Sequence, residues 1–296
     1  MAKNNTKNEG SSIKQHKLLA FLFGLVFLIL LVTVGGTVAY YALTMDLPGI
    51  DTLKDYRPSI ASQVLDENDE LIDEFFLEDR KLIDIKDTPK VLSQAFIASE
   101  DSRFYQHKGF DMKSIFRALF KNMEAGRIVQ GGSTITQQVA KMMYLSPERK
   151  YLRKFKEAIL SYRIDKYLTK EEILNLYLNQ IYLGHGTYGV ESAAIAYFGK
   201  SAREINLPEA ALLAGLPKAP SSYSPYLYFD RVKERQVYVL TRMMEDGDIT
   251  QEQMAAAVAA PLVLRPMKPR DKVAAYFVEH VRRYVQEKYG ADVLYK

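Results

Sequence analysis

The chain has no cysteine among its 296 residues. That excludes a disulfide, a thiolate nucleophile and a zinc–thiolate centre, and leaves the redox compartment open. Histidine is scarce: His16, His107, His185 and His280 are the full set, too few for a histidine-rich metal site. The net charge of +4 is modest, so nothing in the charge balance points to nucleic acid. No internal repeat or low-complexity tract occurs, and beyond Met45 no apolar run is long enough to cross a bilayer. What is present is a chain 48% hydrophobic, enough for a sizeable core in one or two domains.

Leu18–Met45 carries no charge. As a helix it would span about 42 Å, against roughly 30 Å of hydrocarbon. Lys3, Lys7, Lys14 and Lys17 precede it against one acid, Glu9, whereas Asp46 and Asp51 follow. The positive-inside rule puts the N-terminus in the cytoplasm and the rest outside, on a single anchor. A cleaved signal peptide is the alternative; its apolar region would be shorter.

Past the anchor, Ser62–Leu65 and Glu70–Phe75 flank Asp66-Glu-Asn-Asp69 and predict a hairpin, with Arg80–Ile85 a third short strand. From Thr88 the pattern is helical. Thr88 and Pro89 suit a helix start, with Val91, Leu92, Ala95 and Phe96 on one face and Glu100 at the end. Asp111 and Gly126 bracket a second helix, with Ile115, Phe116, Leu119 and Phe120 on one side and Lys113, Arg117 and Lys121 on the other. Such a face can lie on lipid headgroups or be an ordinary core face. A long helix from Ser146 to about Leu168 would bury Leu152, Phe155 and Ile159. Further helices follow over 171–183, 207–215, 230–246, 250–260 and 273–288, with Thr169/Glu172 and Thr250/Gln253 as capping boxes.

The candidate chemistry sits in Glu100–Gly109 and Gly131–Gln138, and on the long helix. Glu100 and Glu157 are a candidate carboxylate pair for glycosyl chemistry. Two glutamates alone signal little. Ahead of Glu157, however, Lys150 and Lys154 share its face, with Arg149, Arg153 and Lys156 in the adjacent row. Cations at a helix start oppose its dipole, and an anionic ligand such as a pyrophosphate reverses that cost. A solvated basic face is the alternative. Gly131-Gly-Ser-Thr-Ile-Thr-Gln-Gln138 can present N–H groups to a sugar or phosphate, or be a turn capped by Ser133. His107 reads as a structural hydrogen-bonder beside Glu100.

Five motifs in order resemble the peptidoglycan glycosyltransferase module (family 51) of class A penicillin-binding proteins and monofunctional transglycosylases. They are Glu100-Asp-Ser-Arg-Phe-Tyr-Gln-His-Lys-Gly109, Gly131–Gln138, Arg153-Lys-Phe-Lys-Glu157, Lys170-Glu-Glu-Ile-Leu-Asn-Leu-Tyr-Leu-Asn179 and Arg235-Gln-Val-Tyr-Val-Leu240. The resemblance covers about residues 50–290. It implies a mainly α fold, a lysozyme-like head with a small membrane-associated jaw. Together with the anchor read above, it divides the chain into a cytoplasmic tail (1–17), a transmembrane helix (18–43), a juxtamembrane spacer with short strands (44–86), a glycosyltransferase domain (87–250, jaw about 109–144) and a C-terminal helical segment (251–296).

The implied reaction polymerises lipid II into β-1,4-linked glycan with inversion. Glu100 is then the general base and Glu157 assists on the donor side. Asp101, Ser133, Thr134, Gln137, Gln138, Lys141, Arg149, Lys150, Arg153 and Lys154 are the implied substrate-binding residues. Phe104, His107, Gly109, Asn179 and Arg235 are supports. No cofactor is required with certainty, and a divalent cation, Mg²⁺ or Mn²⁺, is admitted at the pyrophosphate. Expected partners are lipid II, the growing strand, the bilayer and other cell-wall synthesis proteins, with moenomycin an expected inhibitor and the plasma membrane the expected location. Two rivals remain at this point, a membrane-anchored lysozyme-like hydrolase and a non-catalytic cell-wall scaffold. A transpeptidase module would need Ser-x-x-Lys and Lys-Thr-Gly; only Ser11–Lys14 fits, on the cytoplasmic side. Ala274–Arg283 and Tyr289–Lys296 nevertheless resemble the lead-in to that module, so the chain reads as an N-terminal piece of a bifunctional enzyme. A monofunctional enzyme with a long tail is the alternative.

Overall fold

A computed structural model describes residues 19, 21–37, 41, 47, 61–76, 78–127, 131–144, 150–220, 222–266 and 275–295. The tail 1–17, most of the spacer before residue 61, and Arg149 lie outside these. Residues 21–37 are helical and exposed. Among the described residues no helix is long and apolar enough to cross a membrane.

The predicted hairpin forms. β1 (Ser62–Leu65) pairs antiparallel with β2 (Leu71–Phe75), Ser62 opposite Phe75. Asp66 sets the turn, its Oδ1 accepting from the N–H groups of Asn68 and Glu70 at 2.8 Å each. The expected third strand is shorter than predicted and paired elsewhere. β3 is only Asp79–Arg80 and runs parallel to β4 (Thr187–Tyr188). The cause is visible in the next residues. Asn179 takes both backbone groups of Ile83, at 2.9 and 2.8 Å, and Asn175 takes the N–H of Ile85 at 3.0 Å. These asparagines satisfy the backbone that a sheet would otherwise pair.

The remainder is helical. α1 (Lys90–Glu100) begins after Pro89, and Thr88 does not cap it: its Oγ1 donates to Ile85 O at 2.7 Å, closing the preceding turn. α2 (Met112–Ala125) has Asp111 as its cap and Gly126 in the left-handed region at its stop, as expected. α3 (Ile135–Tyr144) and α4 (Lys150–Tyr167) follow. Then come α5 (Lys170–Gln180), α6 (Val190–Phe198), α7 (Leu207–Gly215), α8 (Phe229–Glu245), α9 (Gln251–Ala259), α10 (Ala275–Tyr289) and α11 (Ala291–Tyr295). The capping boxes at Thr169/Glu172 and Thr250/Gln253 both form, and Asn206/Glu209 adds a third.

Apolar α7 lies at the centre, buried from Ala210 to Gly215 and packed by α1 and α8. Leu92 and Phe96 of α1, Ile173, Leu174 and Tyr177 of α5, and Val239 and Leu240 of α8 join it in one core. The stripe expected on α4 is corrected: Leu152 and Phe155 are exposed, and the buried positions are Glu157, Leu160, Ser161 and Ile164. α3 and α5 pack against α4 and select that face, so a carboxylate heads the buried stripe. A second, smaller cluster joins Phe75 of β2 to Val278 of α10 and Leu294 of α11.

Candidate active site

The site is built where α1 ends. Glu100 is its last residue, and Asp101 follows as the cap, its N–H bonded to Ile97 O. From α3, Gln138 Nε2 donates to Glu100 Oε2 at 2.8 Å. Burial pushes the Glu100 carboxyl above the ordinary glutamate range. Gln138, Arg235 and Lys218 pull it down, and Asp101 adds to the rise. The outcome is a fixed carboxylate more basic than one on the surface.

Asp101 is buried and engaged twice. His107 Nε2 lies 3.0 Å from its Oδ2, and the N–H of Ile135 donates to the same oxygen at 3.0 Å. An acidic side chain thus meets the N-terminus of α3, where its charge is favoured. Thr134 caps that helix reciprocally: its Oγ1 accepts from Gln137 N at 3.1 Å, and Gln137 Oε1 accepts from Thr134 N at 3.0 Å. Thr134 Oγ1 also donates to Gly109 O at 2.5 Å. Gly109 has φ +81°, and a Cβ there would stand 2.3 Å from Ser161 O. Glycine is what lets this loop lie against α4. Phe104 is fully buried, and Lys170 Nζ sits 4.6 Å over its ring while donating to His107 O at 2.8 Å.

Glu157 is buried on α4. Lys154 Nζ lies 2.7 Å from its Oε2, and Arg153 Nε 3.4 Å from its Oε1. Lys154 also donates to Ser133 Oγ at 2.8 Å. A relay of Ser133, Lys154 and Glu157 therefore leads from α4 to the cleft floor. The cleft itself, about 640 Å³, is lined by Glu100, Asp101, Gly131–Thr134, Arg117 and Lys121 of α2, and Arg231, Arg235, Tyr238 and Arg242 of α8.

Of the predicted substrate residues, Asp101, Ser133 and Thr134 line this cleft. Gln138 holds Glu100. The side-chain oxygen of Gln137 closes the capping box, and the residue is buried. Glu157, Arg153 and Lys154 stand beside the cleft, linked to it through Ser133. Lys141 is exposed on α3, and Lys150 opens α4. Among the predicted supports, Asn179 pins Ile83, and Arg235 both donates to Ser99 Oγ at 3.2 Å and lines the cleft. Among the described residues no three metal-ligating side chains converge, and Glu157 already carries two cations.

The profile of the family described as Transglycosylase matches residues 68–244. The chain belongs to the transglycosylase family. Penicillin-binding protein 1A of Neisseria lactamica is 44% identical over 278 residues, covering 93% of this transglycosylase and 35% of that protein. Penicillin-binding protein 1A of Aquifex aeolicus is 43% identical over 275 residues, covering 93% and 38%. A crystal structure of penicillin-binding protein 1A from Haemophilus influenzae aligns at TM-score 0.49 and 28% identity, over 79% of this chain and 25% of that one. The chain spans about a third of the length of the curated relatives it matches. The family match and the two curated penicillin-binding protein 1A relatives support the peptidoglycan glycosyltransferase module of class A penicillin-binding proteins expected from the motifs.

Of the second wall of the transglycosylase cleft, the sequence pointed only to Arg235, and that as a support. Arg231, Arg235, Tyr238 and Arg242 recur every three or four residues on α8, each one position ahead of its buried Val232, Gln236, Val239 and Met243, on the neighbouring face. That polar stripe was a findable signal. Lys218, in the turn after α7, had no such pattern.

Proposed function

We propose that this module extends glycan strands from lipid II, with undecaprenyl pyrophosphate as the leaving group. Glu100 takes the proton from the acceptor's 4-hydroxyl. The freed oxygen bonds to the donor's anomeric carbon from the face opposite the pyrophosphate, and the bond from that carbon to the pyrophosphate oxygen breaks. Configuration inverts, and the lipid diphosphate departs as an anion. Lys154, with Ser133, meets that anion; Glu157 keeps Lys154 in position and assists the donor side. The observation that carries this reading is one basic, anchored carboxylate sharing a cleft floor with a cation relay.

The membrane reading is part of the same proposal. The uncharged stretch Leu18–Ala42 anchors the chain in the plasma membrane, with the cleft outside. Residues 109–144 form a jaw on a lysozyme-like head. Its α2 presents Phe116, Phe120 and Met123 at 52%, 67% and 68% exposure, which suits contact with the bilayer that holds both substrates.

The deciding assay offers the protein lipid II and, separately, finished glycan strands, with and without moenomycin and a divalent cation. Polymer from lipid II, blocked by moenomycin and lost in Glu100→Gln, is expected. Cleavage of finished strands with lipid II untouched, or polymerisation by Glu100→Gln at the native rate, would overturn it.

A further inference from the structure

Gln138 holds Glu100 from the α3 side; on the α5 side lies a phenol with no part in the chemistry so far. Tyr177 is completely buried, and its hydroxyl has no hydrogen-bond partner among the described residues. Its ring packs edge-on against Phe96, centroids 6.1 Å apart and planes at 76°. Phe96 and Glu100 are four residues apart on α1, so they share a face of that helix. Burial first, and then the charges of Glu100 and Asp101, push the phenol well above its ordinary pKa. It is a neutral donor whenever Glu100 is ionised.

A buried hydroxyl left without a partner is costly, and few native structures keep one without reason. We propose that Tyr177 is a positioning residue for the base: its hydroxyl donates through one bridging water to the Glu100 carboxylate from the core side. The inference rests on Glu100 being the base proposed above. The groups bearing on Glu100 are then Gln138 from α3, Arg235 from α8, Lys218 from the turn after α7, and the neighbouring Asp101, which lies 3.0 Å from His107 Nε2. Tyr177 adds the contribution of α5. A neutral donor there favours the ionised carboxylate and fixes its plane. The cleft-facing lone pairs stay open to the acceptor hydroxyl.

The test is Tyr177→Phe in the full chain, which keeps the ring and removes only the oxygen. The acid limb of kcat/KM on lipid II is expected to move up by about 0.5–1 pH unit, with rates converging towards wild type in alkaline solution. The Glu100 carboxyl, followed by carbon NMR and assigned with Glu100→Gln, is expected to titrate higher by the same shift. Thermal stability is expected not to rise. An unmoved titration, or a higher Tm with activity scaled equally at every pH, would show the hydroxyl to be idle. The NMR titration decides this even if lipid II proves not to be the substrate, so the two failures remain separable.

Discussion

Lys154 Nζ stands 2.7 Å from Glu157 Oε2 and 2.8 Å from Ser133 Oγ, so one ammonium ties a buried carboxylate to the cleft floor. Lys154 is about half exposed, and Arg153 stays beside the buried Glu157 when Lys154 is removed, so the pair's loss leaves that carboxylate with a cation. Removal of Lys154 should therefore act on the reaction. Lys154→Ala is expected to lower polymerisation about tenfold or more, the worth of a charge-assisted bond to substrate, with little change in Tm. Lys156→Ala, in the adjacent row, should stay within about twofold. Rates on lipid II for the two variants side by side check this.

Glu100→Gln should cut the rate by about 10²–10⁴, the usual worth of a general base. It should also stabilise the protein near neutrality. The folded pKa of Glu100 is raised, so the stability linked to its protonated form is full below the unfolded pKa and is lost as pH rises through the folded one. A neutral glutamine removes that loss. Thermal unfolding across pH should show a Tm gain at neutral pH that shrinks in acid.

Gly109→Ala meets both a left-handed backbone and a carbonyl 2.3 Å from the new Cβ. A loss of about 3 kcal/mol or more is expected in denaturant unfolding. Gly126 is the internal control. It is also left-handed but has open space around it, so Gly126→Ala should cost only about 1–2 kcal/mol.

Phe116→Ser with Phe120→Ser removes exposed apolar surface from α2. Vesicle flotation of the domain without its N-terminal stretch should weaken by at least about tenfold, at roughly 1.5–3 kcal/mol per phenylalanine transferred. The unfolding midpoint should stay put. Undiminished flotation would remove α2 from the bilayer.

Local signals were legible in the sequence wherever the cause was local. Asp111, Thr169 and Thr250 cap the helices they were expected to cap, because a cap needs only its own first turn. Gly109 and Gly126 likewise stand where the chain must turn. Reading failed where a distant element decided. Arg80–Ile85 looked like a strand until Asn175 and Asn179, some ninety residues on, took its backbone groups. Leu152 and Phe155 looked like a core stripe until α3 and α5 chose another face of α4. Thr88 looked like a cap until the preceding turn claimed it. In the cleft, both motif glutamates could be named from sequence, but the α8 wall could not be placed without knowing what it faces.

The small cluster of Phe75, Val278 and Leu294 also bears on how the module can be cut for study. It staples the hairpin ahead of the catalytic helices to a segment some two hundred residues later. Trimming the chain at Pro266, about twenty residues past the family-matched region, would strip Val278 and Leu294 from Phe75 and leave a sticky edge. A crystallisation fragment should therefore retain both jaws of this buckle or discard both.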